Sequence, residues 1–315
     1  MITRMPRSDL LPVAIVQARA PYLDLEACLD LVDERARDAA EGGARLVAFG
    51  ETFLPGYPAW LDVCSDMGLW DHEPTKQVFA ELHRNSVTVP GPAAQRLSEI
   101  ASRHGIVMVV GVNERVEAAP GHGTLYNSLL TFDGDGSLLN HHRKLVPTFT
   151  EKLVWGQGDG AGLQSVETRC GRVGALVCWE HWMPLARQAL HNDGEQIHVA
   201  AWPTVKEMMQ VASRHYAFEG RCFVLASGTI MPATDIPDAL GAHELAGTDA
   251  LVMRGGSAII APDGRFLAGP VYDEETILRA DLDLDEITRE SMALDTSGHY
   301  YRDDVFDLSI ARRRR

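Results

Sequence analysis

The sequence predicts an α/β fold in which central β-sheets are covered by helices. Short runs of apolar residues alternate along the chain with amphipathic stretches of helical spacing, and glycine- or proline-containing turns separate them. We find no fixed short repeat, low-complexity linker or abrupt change in composition. We therefore expect one domain over residues 1–315, with its core at about 12–306 and a C-terminal tail at 307–315.

The elements follow from these patterns in chain order. Apolar runs of strand length predict strands at residues 12–17, 45–49, 106–112, 125–132, 173–178, 197–201, 223–227, 257–261 and 277–281. Helical spacing predicts helices at residues 25–39, 93–103 and 204–219, and a further helix from about residue 184. Gly42 and Gly43 should end the first helix. Residues 54–80 and 146–165 are expected to be long loops, which in compact domains are often functional.

Composition excludes several classes of function. The net charge is −15, so the surface should repel nucleic acid and anionic lipid. The one basic run, Arg312 to Arg315, is either a nucleic-acid-binding tail or, as chain ends more often are, a solvated terminus. The five cysteines are odd in number and have no CxxC spacing, which argues against a disulfide framework or a zinc site. Without a convincing signal peptide or membrane span, a cytoplasmic location is expected.

Cys178 is the first candidate for chemistry. It ends an apolar strand before a helix, where α/β folds present reactive groups, and the N-terminus of that helix would lower the thiol pKa from about 8.5. A lone cysteine is more often a small buried hydrophobe, and we assign Cys28, Cys64, Cys170 and Cys222 to that class.

Glu51 and Lys144 are two further candidates. Glu51 follows a strand of core-type residues, and burial there would raise its pKa towards that of a general base. Lys144 follows the strand and turn at 125–136, where a fixed ammonium could stabilise developing negative charge. Taken singly, the simpler interpretations are a cap or salt bridge for Glu51 and a surface lysine for Lys144.

The settings of these three residues together are more specific. They lie in the segments FGETFLPGYP (49–58), HRKLVPTFTEKLVWGQGDG (142–160) and GALVCWEHWMP (174–184), and GHYYRDDVF follows at 298–306. In these segments and their order the chain resembles the nitrilase superfamily of carbon–nitrogen hydrolases, in particular its true nitrilase branch of microbial type. The resemblance runs from about residue 12 to residue 306.

The resemblance implies a role for each residue. Cys178 matches the nucleophile, Glu51 the general base and acid, and Lys144 the group that stabilises the tetrahedral species. Glu151 matches a second glutamate that positions the substrate and orients the lysine, and the backbone N–H of Trp179 would join Lys144 as a donor.

The resemblance also implies an architecture. It is a four-layer αββα sandwich that pairs across a two-fold axis into homodimers or larger homo-oligomers. Because the chain stops nine residues after Phe306 (315 − 306 = 9), we do not expect a long spiral.

The pocket and its ligands are less determined by the sequence. Aromatic residues in or near the motifs would suit an apolar nitrile substituent, although such residues are as often core: Tyr57, Trp60, Trp155, Trp179, Trp182 and Trp202. Of these we select Tyr57, Trp60, Trp179 and Trp202 as substrate-binding candidates. We expect no cofactor and no metal, because the spacings of His141, His142, His181 and His191 match no zinc site, and we interpret them as surface or hydrogen-bonded residues. No nucleotide-binding glycine motif follows a strand.

Three functions remain open at this point. The first is a nitrilase that converts a small organic nitrile into a carboxylic acid and ammonia through a cysteine thioimidate and thioester. The second is an amidase or nitrile-hydrating enzyme of the same superfamily, although Trp179 and Glu180 after the nucleophile favour nitriles. The third is a catalytically silent scaffold on the same fold, against which the intact Glu51, Lys144, Glu151 and Cys178 argue.

Overall fold

The protein is described by a computed structural model over residues 10–118, 120–240, 248 and 250–314. The strands in these ranges are β1 (Leu11–Gln17), β2 (Leu46–Phe49), β3 (Val107–Arg115), β4 (Leu125–Phe132), β5 (Leu138–Arg143), β6 (Val166–Thr168), β7 (Gly171–Val177), β8 (Ile197–Ala201), β9 (Phe223–Ser227), β10 (Ile230–Pro232), β11 (Leu251–Ile260), β12 (Phe266–Tyr272) and β13 (Thr276–Leu282). The α-helices are α1 (Leu25–Glu41), α2 (Trp60–Val63), α3 (Glu73–Arg84), α4 (Pro92–His104), α5 (Pro184–Asn192), α6 (Glu207–Gly220) and α7 (Asp285–Ser291). Within the same ranges, no helix combines the length and apolarity needed to cross a membrane.

The strands form two sheets. The first has the order β13-β1-β2-β3-β4-β5, and β1, β2 and β3 run parallel at its centre. The second has the order β10-β11-β9-β8-β7-β6, with β12 paired to β11 and with β7, β8 and β9 parallel. The outer strands pair antiparallel in both sheets. Parallel strands at the centre explain the continuous apolar runs in the sequence, since such strands are buried on both faces.

Alternate residues of β1 show how the layers are stacked. Val13 and Ile15 belong to a core cluster that contains residues of the second sheet, whereas Ala14 and Val16 belong to a cluster with residues of α1 and α4. Side chains of a strand alternate between its two faces, so the first sheet lies between a helical layer and the second sheet. Residues of α5 and α6 share the cluster of the second sheet. The predicted αββα sandwich is confirmed.

Local signals set the limits of the first helix as predicted. The side chain of Asp24 accepts a hydrogen bond from the Ala27 N–H at the N-cap of α1. The helix ends at Glu41, and Gly43 then adopts a φ of 90°, a conformation that glycine tolerates without steric cost.

The predicted loop at 54–80 is wrong in part. This segment contains α2, a 3-10 turn at Ser65–Gly68 and the start of α3. These helices bury Trp60, Val78 and Leu82 in a third apolar cluster. Met231 on β10 and Met253 on β11 belong to the same cluster. The helical pattern of α3 is weak in the sequence because seven of its twelve residues are polar, and its stability depends on tertiary packing of a narrow apolar stripe.

The strand β5 was also missed, and it matters for the site. Four of the six residues in its sequence, LLNHHR, are polar, but Asn140, His142 and Arg143 are buried and hydrogen-bonded. Lys144 follows directly after Arg143, and its N–H donates to the Asn127 carbonyl on β4 at 2.8 Å. The strand therefore continues the first sheet up to the lysine and gives it a rigid attachment.

The carboxyl ends of the central strands of both sheets meet at one edge. The Glu51 N–H, after β2, donates to the Trp202 carbonyl, after β8, at 3.3 Å, and the Ser227 hydroxyl donates to the Phe49 carbonyl at 3.2 Å. Gly111 on β3 lies against this turn so closely that a Cβ atom there would stand 2.3 Å from the Gly50 carbonyl oxygen. Glycine is therefore required at 111 for the turn that carries Glu51 to pack on the sheet.

Candidate active site

Cys178 occupies a strained position at the end of β7. It is the first residue of a 3-10 turn, Cys178–Trp182, and has a φ of 50°, which is uncommon for a residue with a Cβ atom. The side chain is buried. Strain of this kind is tolerated where the surrounding structure dictates the conformation, and it concentrates at functional sites.

Three other elements bring charged side chains to this turn. Glu51 lies two residues after β2, Lys144 one residue after β5, and Glu151 on a 3-10 turn at Phe149–Leu153. All three are buried, with exposed fractions of 3% or less. Burial of three charged groups is costly unless they pair with one another.

The pairing is centred on the ammonium of Lys144. Its Nζ atom donates to Glu51 Oε1 at 3.1 Å and to Glu151 Oε2 at 2.6 Å. The Cys178 sulfur and one carboxylate oxygen from each of Glu51 and Glu151 all lie within 4.8 Å of one another. The structure thus brings together the four residues that the sequence singled out, although they are spread over 127 positions (178 − 51).

Neutral donors complete the bonding of the carboxylates. Asn127 Nδ2 donates to Glu51 Oε1 at 2.6 Å, the Tyr57 hydroxyl to Glu151 Oε1 at 2.9 Å, and the Thr148 N–H to Glu151 Oε2 at 2.7 Å. By contrast, Glu51 Oε2 is buried and has no hydrogen-bond partner within the described residues. That oxygen is therefore available to exchange a proton with the thiol, a substrate atom or a water.

Burial and neighbouring charges shift the pKa values of Glu51, Cys178 and Lys144. Burial raises the pKa of Glu51 to about 7, against the lowering effect of Lys144. Burial also raises the pKa of the Cys178 thiol well above its ordinary value, and the Glu51 charge adds to this effect. The neighbouring carboxylates outweigh the burial of Lys144 and raise its pKa, so it stays an ammonium.

These directions correct one sequence prediction. The helix after Cys178 was expected to lower the pKa of the thiol, but a 3-10 turn separates the cysteine from α5 and burial dominates. The resting thiol is protonated and needs a base, and Glu51 is placed to act as that base.

The same cluster has the composition of a cation site. Oxygen and sulfur atoms of Glu51, Glu151 and Cys178 are close enough together to hold a metal ion. The Lys144 ammonium, however, already bonds to both carboxylates and supplies the positive charge that they require. A metal ion would have to displace it, so these residues fit the lysine better than a metal.

Glu180 connects the lysine segment to the cysteine turn. Its carboxylate accepts hydrogen bonds from the Leu145 N–H at 2.8 Å and from the Val177 N–H at 2.7 Å, and lies 2.9 Å from His142 Nε2. Leu145 follows Lys144, and Val177 precedes Cys178. Because β5 and β7 belong to different sheets, this one buried side chain holds the two sheets in register at the site.

The aromatic candidates differ in how closely they approach the site. The Tyr57 hydroxyl bonds to Glu151 in the site, and the Tyr57 ring packs edge-on against Trp155 with ring centroids 5.7 Å apart. Tyr57 also lines, with Glu51 and Tyr22, a narrow cavity of about 10 Å³, roughly the space of one water. Trp60 is not among the residues that line this cavity, and its indole N–H donates to the Tyr22 hydroxyl at 2.8 Å.

The other two candidates are not equivalent. Trp179, next to the nucleophile, is half exposed. The indole of Trp202 is fully buried, stacks on His181 with ring centroids 4.8 Å apart and donates to Ser213 at 3.2 Å. Its ring therefore packs in the core beneath the Cys178 turn, and we correct the assignment of Trp202 as a pocket wall.

Two of the supporting residues were not selected from the sequence, and the histidines fit one of their two interpretations. Asn127 and Glu180 were not selected from the sequence, and the signal for Asn127 was a polar residue inside the otherwise apolar strand LYNSLLTF. His142, treated as a surface or hydrogen-bonded residue, is fully buried and bonded to Glu180. His181 and His191 are likewise buried and hydrogen-bonded, so of the two interpretations only the second holds.

The chain is similar in sequence to known carbon–nitrogen hydrolases. The sequence profile of the carbon-nitrogen hydrolase family matches residues 12–290. An aliphatic nitrilase of Sinorhizobium fredii (strain HH103) is 40% identical over 297 residues, which are 94% of each chain. A bifunctional nitrilase/nitrile hydratase of Lupinus angustifolius is 37% identical over 308 residues, covering 96% of this chain and 86% of the relative.

A solved structure shows the same fold. The carbon-nitrogen hydrolase from Helicobacter pylori G27 superimposes with a TM-score of 0.68, covering 94% of this chain and 96% of its own. The two are 19% identical, so this likeness bears on the fold alone.

The Glu180 bridge predicts a specific loss of stability. In Glu180→Gln the amide NH₂ would face a backbone N–H, because the two carboxylate oxygens accept from Leu145 and Val177. We expect the free energy of unfolding to fall by about 1–3 kcal/mol. Denaturant unfolding measures this change, with the exposed Glu99→Gln as control, which should stay within about 0.5 kcal/mol of wild type. Equal stability of the two variants would contradict the role of Glu180.

Proposed function

The chain belongs to the carbon-nitrogen hydrolase family, and from that premise we propose that it is a nitrilase that hydrolyses a small organic nitrile to the carboxylic acid and ammonia. One observation carries the proposal. A buried thiol, a carboxylate of raised pKa and a fixed ammonium converge within hydrogen-bonding or near-contact distance of one another. These groups are the nucleophile, the proton carrier and the charge stabiliser that attack on a weakly electrophilic nitrile carbon needs.

The first step forms the carbon–sulfur bond. Glu51 takes the proton of the Cys178 thiol through its free Oε2 atom, and the thiolate adds to the nitrile carbon. One π bond of the C≡N group becomes a lone pair on nitrogen, and Glu51 returns its proton there. The product is a thioimidate. Lys144 and the N–H of Trp179 stabilise the negative charge that develops on nitrogen.

Two waters complete the reaction. Glu51 takes a proton from the first water, which adds to the thioimidate carbon, and the nitrogen then leaves as ammonia after protonation, so that a thioester remains. A second water, activated in the same way, adds to the thioester, and the carbon–sulfur bond breaks to release the acid and restore the thiol. The sum is one nitrile and two waters converted into one acid and one ammonia.

The alternative product is an amide. After the first water has added, the tetrahedral carbon carries both a nitrogen and a sulfur substituent, and loss of the sulfur instead of the nitrogen yields an amide. The relative from Lupinus angustifolius is named for both activities, which keeps this second outcome open for the present chain. The position of the proton between nitrogen and sulfur decides the outcome, because the protonated group leaves more readily.

Self-association is a further part of the proposal. The outer surfaces of α5 and α6 expose Leu185, Met208 and Phe218, which are apolar side chains that a partner surface would cover. A two-fold pairing of this face with a second copy would bury them. Light scattering should give a molar mass at least twice 34.5 kDa, and Leu185→Glu should lower it towards that value. A monomeric wild type would refute this part.

A cytoplasmic location also stays a prediction, in keeping with five free cysteines.

The product balance tests the reaction itself. With a panel of aliphatic, aryl and arylacetonitriles, we expect one ammonia per acid formed from at least one nitrile. Cys178→Ala should fold but give neither product, whereas Cys28→Ala, which removes another buried thiol outside the site, should retain turnover. Full activity of Cys178→Ala would end the proposal, and accumulation of amide without ammonia would establish the nitrile-hydrating alternative.

The pKa of Glu51 predicts the acid side of the pH profile. Glu51 must be ionised to accept the thiol proton, so kcat/KM should fall as the pH drops below about 7. Glu51→Gln should lose turnover while its Cys178 still reacts slowly with iodoacetamide. A pH–rate profile of Glu51→Gln that matches wild type would remove Glu51 from the mechanism.

A further inference from the structure

A chain of buried titratable side chains lies behind Cys178 and has no part in the steps above. His181 Nδ1 is 2.7 Å from the Cys178 carbonyl oxygen, His181 Nε2 is 2.9 Å from His198 Nε2, and His198 Nδ1 is 2.8 Å from Glu195 Oε2. His181 and His198 are 1% and 0% exposed, and Glu195 is 5% exposed. Buried polar groups in such a continuous line are rarely accidental, because each costs free energy unless it is bonded.

The bonding partners determine how many protons the chain holds. A carbonyl oxygen only accepts, so His181 Nδ1 must carry a proton. The Nε2–Nε2 contact needs one proton between the two rings, and the contact between His198 Nδ1 and Glu195 needs another. Three bonds thus require three protons, whereas two neutral imidazoles supply only two. The chain therefore holds one extra proton, on an imidazole or on the Glu195 carboxyl group.

Glu195 is the group that keeps this proton in the core. Burial lowers the pKa of both imidazoles, and the charge of Glu195 reduces this effect at His198 without cancelling it. The carboxylate itself also accepts from His191 Nδ1 at 3.0 Å and from the Tyr216 hydroxyl. Burial raises the pKa of Glu195, but its bonds to the histidines outweigh this effect and lower it to about 2. Because Glu195 is then ionised, the count of hydrogen bonds places the extra proton on the two imidazoles, between the Cys178 carbonyl and the carboxylate.

The surroundings hold the chain in one geometry. His181 is fixed by the stacked Trp202 ring, and His198 stacks on Tyr216 with ring centroids 3.8 Å apart. At the outer end, His191 Nε2 lies 3.5 Å from Glu219, which pairs with Arg187. Arg187 also donates to the backbone carbonyl of His181 at 3.1 Å, so its charge lies beside the first histidine of the chain as well as at the outer end.

The other end of the chain acts on the peptide unit that joins Cys178 to Trp179. Its carbonyl accepts from His181, and its N–H favours the ionised form of the Cys178 thiol, against the larger effect of burial, which raises the pKa. A charged donor on a carbonyl oxygen withdraws electrons from the peptide and makes the N–H of the same unit a stronger donor.

We propose that Glu195, His198 and His181 form a positioning and polarising chain that strengthens the Trp179 N–H through the Cys178 carbonyl, and so stabilises the thiolate and the charge that develops on the substrate. This inference rests on the proposed function for its effect on substrate. Its effect on the thiol is independent of which substrate the enzyme takes.

Glu195→Gln is the variant that separates charge from structure. A glutamine can donate its amide N–H to His198 Nδ1 and accept from His191 and Tyr216 with its oxygen, so every hydrogen bond of the chain is kept. Both imidazoles are then neutral, and the extra proton is absent. The matched control is Glu286→Gln, which changes another buried glutamate, bonded to Arg265 and outside the site.

Two measurements apply to these variants. The second-order rate of Cys178 alkylation by iodoacetamide, followed between about pH 6 and about pH 9, should fall about 3- to 10-fold in Glu195→Gln and stay unchanged in Glu286→Gln. With a nitrile that wild type hydrolyses, kcat should fall by a similar factor while KM changes little. The alkylation assay uses no nitrile, so it tests the chain even if nitrile hydrolysis fails.

A second variant and a double mutant guard against a fault in folding. His181→Asn keeps an N–H that can reach the Cys178 carbonyl, but it severs the link to His198. It should show the same loss as Glu195→Gln, and the double mutant should lose no more than either single variant, because both break one chain. Wild-type alkylation rates in folded Glu195→Gln or His181→Asn, or losses that multiply in the double mutant, would overturn the proposal.

Discussion

The site depends on one buried ammonium held between two carboxylates. Lys144 donates to Glu51 and Glu151, and removal of that positive charge would leave two buried negative groups close together. The same arrangement gives Glu51 its intermediate proton affinity, since burial raises the pKa while Lys144 lowers it. The contacts of Lys144 Nζ with Glu51 Oε1 and Glu151 Oε2 therefore stabilise the buried site and also set the pKa of Glu51, so a change in any of these groups alters both.

The sandwich supplies what this charge cluster requires. The cluster is buried because two sheets pack face to face, and their strand ends meet where Glu51 and Cys178 emerge. Glu180 joins the ends of β5 and β7 by two backbone hydrogen bonds, so the lysine and the cysteine cannot shift independently. Positions of reacting groups need to be held within fractions of an ångström, and backbone-anchored buried bonds provide that rigidity.

Behind Cys178, the second sheet carries the two buried histidines His181 and His198. His198 lies on β8 and His181 on the turn after β7, so parallel pairing of these strands brings the two imidazoles into line with the Cys178 carbonyl. Cys178 has a φ of 50°, and its carbonyl oxygen lies 2.7 Å from His181 Nδ1. The backbone of the nucleophile thereby connects the buried histidines to the reacting atom.

The sequence determined the class of fold and the main reacting groups. Strand and helix periodicity is a local property, and three motifs in a set order are specific, so the αββα sandwich and the grouping of Glu51, Lys144, Glu151 and Cys178 could be predicted. Tertiary structure alone decided what surrounds them. Asn127 bonds to Glu51, 76 positions away, and His142 to Glu180, 38 positions away, so nothing local marks them as partners. The core position of Trp202 and the raised pKa of Cys178 were decided in the same way, because burial is a property of the packed molecule and not of a residue's neighbours in sequence.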